Sequence, residues 1–184
     1  MIELNVSCPN VEAEFGRPFA LDPAAAAGVT EAVRAVYGGP LLVKLSPNAP
    51  DIAAVARAVA AAGASGITAV NTLGPGMVID VRARRPILSN RVGGVSGPAI
   101  LPVAVRCVYD IAAAVDLPIV GTGGVRSGHD AMQMIMAGAT AVGLGSALYR
   151  EGPSVFARIL AELEALMYEE GCDDLATVRG CAHG

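Results

Sequence analysis

Short runs of apolar residues without polar alternation recur along the chain, each followed by a longer, often Ala-rich stretch with helical spacing. The runs predict strands at 3–6, 41–45, 66–70, 118–120 and 141–144, and the stretches predict helices at 23–37, 51–62, 98–115, 127–137 and 153–170. The boundaries have physical causes. Asp22 before Pro23 is an N-cap with proline in the first helical position, and Gly38 closes that helix. Ser127 with Asp130 makes a capping box, and Gly138 ends the helix it opens. Continuously apolar strands joined by helices indicate a parallel sheet covered on its faces.

Five such βα units begin either a doubly wound sheet or a (β/α)8 barrel. The strand ends argue for the barrel. Asn5, Lys44 and Asn71 stand at or just past the carboxyl ends of the first three strands, and GTGG (121–124) and GLGS (143–146) follow the last two. Polar groups converging from successive strand ends, with glycine-rich loops after the last two, match the rim of a TIM barrel. The competing topology is a flavodoxin-like sheet that binds at its switch point. A whole barrel takes about 250 residues, so 184 residues read as the last five βα units of a (β/α)8 TIM barrel. This is one domain over 1–184, with an inserted loop and hairpin over 73–96. Five units leave the sheet edges open, which is unfavourable for a soluble monomer.

Composition narrows the function. Hydrophobic residues make up 53% of the chain, ample for a core and incompatible with disorder. A net charge of −4, 4% aromatic residues and no Trp argue against a nucleic-acid partner. The most hydropathic stretch, 52–70, is Ala- and Gly-rich and broken by Arg57, so no membrane span is expected. The first residues lack the pattern of a signal peptide. Cys8, Cys107, Cys172 and Cys181 have no C-x-x-C spacing, which suits free thiols in a reducing cytoplasm, and no metal is assigned. Of 13 basic residues only Lys44 is lysine, and it sits inside the apolar run LLVKLSP.

The chemistry-bearing residues cluster at the expected rim. In Asn5-Val6-Ser7-Cys8-Pro9-Asn10 a thiol stands just beyond a strand end between two amides. A thiolate there can act as a base, and Asn5 and Asn10 suit a planar ligand with donor and acceptor edges; alone, the same cysteine also reads as part of a half-buried turn. Lys44 inside a barrel needs an anion or an electron-rich ring, or else snorkels to solvent. Asn71 and Thr72 by themselves read as a turn. Gly123 with Gly124, and Gly145 with Ser146, can present bare N–H groups to a phosphate. The long connection carrying Arg82, Arg84, Arg85 and Arg91 suits an oligomer or partner contact, or a solvated basic loop. The stretch 11–19 is a candidate lid.

These motifs, in this order, resemble the class 1 dihydroorotate dehydrogenases. The likeness runs from ELNVSCPN (3–10) through VKLSPN (43–48), VNT (70–72), GGVSGPAI (93–100) and GTGG to AGATAVGLGSA (137–147), nearly the whole chain. It implies an FMN-dependent oxidation of dihydroorotate to orotate, with Cys8 as catalytic base and Asn5, Asn10, Asn71 and Thr72 holding the substrate. It assigns Lys44, Val70, Gly97, Gly123, Gly124, Gly145 and Ser146 to the cofactor. VKLSPN, and GGVSGPAI leading into CVYDI, are most like subclass 1B. That subclass pairs with an iron–sulfur flavoprotein subunit carrying FAD and a 2Fe–2S cluster and uses NAD; a homodimer of the catalytic chain is also expected. No cysteine pattern here ligates such a cluster. Two alternatives stay open: a dihydropyrimidine dehydrogenase-like FMN enzyme, from which Asn10 argues away, and a non-catalytic fragment or phosphate-binding half barrel.

Overall fold

The computed structural model describes residues 1–7 and 19–184. The assignments of Cys8 and Asn10, and all but the last residue of the 11–19 segment, lie outside these residues. In chain order the strands are β1 (Ile2–Asn5), β2 (Leu41–Leu45), β3 (Gly66–Ala69), β4 (Leu73–Gly76), β5 (Ile79–Asp80), β6 (Arg85–Pro86), β7 (Gly93–Val95), β8 (Ile119–Thr122) and β9 (Ala141–Gly143). The helices are α1 (Pro23–Val36), α2 (Ile52–Ala61), α3 (Leu101–Ala112), α4 (Gly128–Met136), α5 (Ser146–Glu151), α6 (Ser154–Glu169) and α7 (Leu175–Val178).

Strands β1, β2, β3, β8 and β9 form one parallel sheet in that spatial order. Strand order therefore follows chain order without a reversal, and the sheet has no switch point of the doubly wound kind. Successive helices touch one another, α1 on α2, α2 on α3, α3 on α4 and α4 on α6, and so line the sheet as a row. This is an arc of a (β/α)8 barrel.

Side chains alternate across the sheet with the period of two that strands impose. The positions facing the helices, Val43, Leu45, Ile67, Ala69 and Ile119, are fully buried against Val55, Val59, Val108, Ile111 and Met134. Each large side chain of this set contributes about 1.5–3 kcal/mol by burial. The opposite face is open and more polar: Glu3 and Asn5 are exposed, and Leu42, Lys44, Val120 and Thr122 are half-buried. In register across it stand Asn5, Lys44, Thr68, Val120 and Ala141.

Local sequence explains the element ends. The Asp22 carboxylate accepts the N–H groups of Ala24 and Ala25 at 2.9 and 3.4 Å. Ser127 Oγ accepts the Asp130 N–H at 3.1 Å, while Asp130 Oδ2 reaches back to the Arg126 N–H at 3.0 Å. The stretch predicted as one helix from residue 98 begins instead as a 3-10 turn at Pro98–Ile100, and α3 starts at Leu101 with Pro102 in its first turn. Neither proline has an N–H to give, so both are tolerated only where a helix opens. The connection after β3 folds as two antiparallel pairs, β4 with β7 and β5 with β6, and leaves Val78, Val81 and Ile87 exposed. Among the described residues no helix is long and apolar enough to cross a membrane.

Candidate active site

The carboxyl ends of the five parallel strands share one rim. Asn5 closes β1, and its Oδ1 accepts both the N–H of Ser7, at 3.1 Å, and the Ser7 hydroxyl, at 2.7 Å. Asn71, just past β3, donates from Nδ2 to the carbonyl oxygen and to the hydroxyl of Ser7, each at 2.9 Å. Ser7 itself is only 4% exposed. The backbone locks the same place: Val70 N–H donates to Thr122 O at 2.7 Å and Asn71 N–H to Leu45 O at 2.9 Å. Residues 70–71 are thereby tied over the ends of β2 and β8. Lys44 lies on β2 with Asn5 on one side and Thr68 on the other.

Around this network the inserted strands make contact. The Thr72 N–H donates to Asn71 Oδ1 at 2.9 Å, and the Thr72 side chain packs on the backbone of Gly94 so closely that a Cβ there would overlap it. Asn48 Oδ1 accepts the Gly74 N–H at 3.2 Å, holding the start of β4 against the loop after β2.

The glycine segments also meet. Gly97, Gly123 and Gly124 have φ of 90°, 134° and 84°, values that favour glycine. A Cβ on Gly124 would lie 2.8 Å from the Gly97 carbonyl oxygen, and one on Gly97 would lie 3.6 Å from Ser146 Oγ. At Gly145 nothing lies within 4 Å of such an atom. The N–H groups of Gly124 and Gly145 meet no acceptor among the described residues. Three segments, each from a different βα connection, thus converge on bare backbone.

The described thiols are not part of this rim. Cys107 on α3 is wholly buried among the helices, and burial pushes its thiol pKa up despite the neighbouring Arg106. Ser7 and Asn48 join the site without a strong mark in the sequence, where each stands only as part of a polar motif, NVSCPN and VKLSPN.

A family profile described as dihydroorotate dehydrogenase matches residues 1–167. The chain belongs to the dihydroorotate dehydrogenase family. Among relatives of this dihydroorotate dehydrogenase family member is the dihydroorotate dehydrogenase B (NAD(+)) catalytic subunit of Methanothermobacter thermautotrophicus. It is 49% identical over 183 residues, covering 100% of this chain and 60% of the relative. The corresponding catalytic subunit of Exiguobacterium sibiricum is 49% identical over 183 residues, with 100% and 58% covered. A dihydroorotate dehydrogenase A (fumarate) from Lacticaseibacillus paracasei is 49% identical over 165 residues, with 90% and 56% covered. The chain therefore spans about 60% of the length of these relatives. Dihydroorotate dehydrogenases are flavin-dependent oxidoreductases built on a (β/α)8 barrel, and the unreversed strand order of the sheet is that of a barrel arc.

Proposed function

We propose that this chain is the active-site-bearing, C-terminal part of a single FMN-binding barrel domain that oxidises (S)-dihydroorotate to orotate in pyrimidine biosynthesis. The observation that carries the reading is the Asn5–Ser7–Asn71 network standing at the same sheet rim as the convergent glycine segments. A planar ring with amide edges matches paired asparagines, and bare N–H groups beside a close backbone approach match a phosphate.

The residues present fit the cofactor. Gly123, Gly124, Gly145 and Ser146 would hold the FMN phosphate and Gly97 would approach the same cofactor, because the Gly97 and Gly124 segments pack too closely to admit a Cβ at Gly124, which keeps their backbone bare, and Gly145 faces open space. Lys44 and the backbone at Val70 would hold its ring. FMN held there would supply the acceptor for the hydride that leaves substrate C6. Cys8 takes the proton from C5, so that the substrate loses a proton and a hydride together. Asn5, Asn10, Asn71 and Thr72 hold the ring in place for that transfer. The Lys44 ammonium keeps a fixed positive charge on the face where negative charge collects, which needs no reorganisation during the reaction.

A partner iron–sulfur flavoprotein subunit carrying FAD and a 2Fe–2S cluster would supply the electron route to NAD, a reading supported by relatives named as NAD(+)-linked catalytic subunits. The catalytic chain pairs with itself as a homodimer. Its free thiols at Cys107, Cys172 and Cys181 support a reducing, cytoplasmic setting.

The test is orotate formation by the full-length protein. Cys8→Ala should lower turnover about a hundredfold or more while the yellow flavin spectrum persists. Undiminished turnover would remove Cys8 as base, and protein that never takes up flavin would remove the cofactor assignment.

A further inference from the structure

We propose that Ser7 is a positioning residue that sets the hydrogen-bonding polarity of the substrate site, so that Asn5 presents its NH2 and Asn71 its carbonyl oxygen to a cyclic ureide or imide. This rests on the reading of Asn5 and Asn71 as substrate-binding residues. Backbone groups decide which way each amide points. A peptide N–H only donates, so the Asn5 side-chain atom 3.1 Å from Ser7 N is its oxygen. A peptide carbonyl only accepts, so the Asn71 atom 2.9 Å from Ser7 O is its nitrogen.

The Ser7 hydroxyl joins the two amides and enforces the same sense. It has one proton, which goes to Asn5 Oδ1 at 2.7 Å, and its lone pair receives Asn71 Nδ2 at 2.9 Å. Flipping either amide would set donor against donor or acceptor against acceptor. Because Ser7 is 4% exposed, water has little access to take over the hydroxyl's part. The consequence lies in what is left over. Asn5 spends its oxygen on Ser7, its NH2 meets no acceptor among the described residues, and it stands exposed at the rim. Asn71 spends its NH2 on Ser7 and one side of its oxygen on the Thr72 N–H, and among the described residues keeps the other lone pair. The site thus offers one donor from the end of β1 and one acceptor from just past β3, on either side of β2. That pair matches a ring in which a carbonyl neighbours an N–H, and it discriminates against a ring whose N–H has become a bare acceptor nitrogen.

The experiment uses the full-length, flavin-loaded protein, with orotate affinity read from perturbation of the flavin spectrum and steady-state kinetics on dihydroorotate. Ser7→Ala removes one hydrogen bond to each amide. It should weaken orotate binding and raise KM by roughly fivefold to tenfold, with the larger change in KM rather than kcat. Asn5→Asp keeps an oxygen toward Ser7 but replaces the outward NH2 by a second oxygen. It should weaken orotate binding at least about tenfold while the melting temperature and flavin absorbance hold. Wild-type affinity in Asn5→Asp, or a fall in kcat alone in Ser7→Ala, overturns the proposal; if Ser7→Ala does not fold, Asn5→Asp decides. Wild-type protein that fails to bind orotate overturns the substrate reading instead, and this assignment with it.

Discussion

The carbonyl oxygen of Gly97 lies 2.8 Å from where a Cβ on Gly124 would sit, so the loop after β8 rests directly on the turn that opens α3. Gly124→Ala must push these segments apart at a φ of 84° that also disfavours a side chain. The expected cost is about 1–3 kcal/mol of stability, with loss of bound flavin, both measurable by denaturant titration and flavin content. Gly145→Ala is the control for packing. Nothing lies within 4 Å of the added atom, so stability should hold within about 0.5 kcal/mol.

Lys44 stands in register between Asn5 and Thr68 on the open face of the sheet. Lys44→Met removes the charge and keeps the aliphatic stem. Flavin reduction by dihydroorotate, followed anaerobically by bleaching of the flavin band, should slow at least about tenfold, while the melting temperature changes little. An unchanged reduction rate and flavin affinity would take Lys44 out of the site.

Glu162 on α6 accepts the Gly128 N–H at 2.8 Å and pairs with Arg158 at 2.5 Å. The Gly128 bond first, and Arg158 second, hold its carboxyl below the usual carboxylate range. The folded state therefore releases this proton more readily than the unfolded chain. The stabilisation is present above the ordinary glutamate value and is lost as pH falls through the lowered one. Glu162→Gln should melt at a lower temperature than wild type at neutral pH, with the gap closing in acid. The effect is modest because the pair is open to solvent.

Cys107 is fully buried with its thiol pKa raised by burial, whereas Cys181 is exposed. Iodoacetamide applied to the native protein should modify Cys181 and spare Cys107, which becomes reactive only on unfolding. Peptide mass spectrometry before and after denaturation reads this out. Rapid native labelling of Cys107 would contradict the helix packing around it.

Much of the framework was legible because its signals are local. Asp22-Pro23 and Ser127 with Asp130 announce helix starts through bonds that close within four residues. Gly138, with a φ of 118°, ends α4 where its conformation excludes a side chain. The elements that sequence hid depend on distant partners. The strand LGPG of β4 is poor in strand-forming residues and exists through pairing with β7. His183 carries no local signal in the sequence, yet its ring stacks on Tyr109 at 3.9 Å and its Nε2 lies 3.1 Å from Ala137 O. Asn5, Lys44 and Asn71 could be picked out at strand ends, because an isolated polar residue after an apolar run is conspicuous. Ser7 could not, since its importance lies in two amides that arrive 2 and 64 residues away.

Alternation along the strands separates two kinds of evolutionary freedom. Val43, Leu45 and Ile67 anchor the scaffold against the helices, while their immediate neighbours Leu42, Lys44 and Thr68 look the other way, where Thr68 reaches Glu3 at 2.7 Å across β2. Substitutions at the half-buried Leu42 and Lys44 change the open face while leaving the helix-facing set untouched. On the proposed reading, the ligand that the open face takes can change through every other residue of a few short strands.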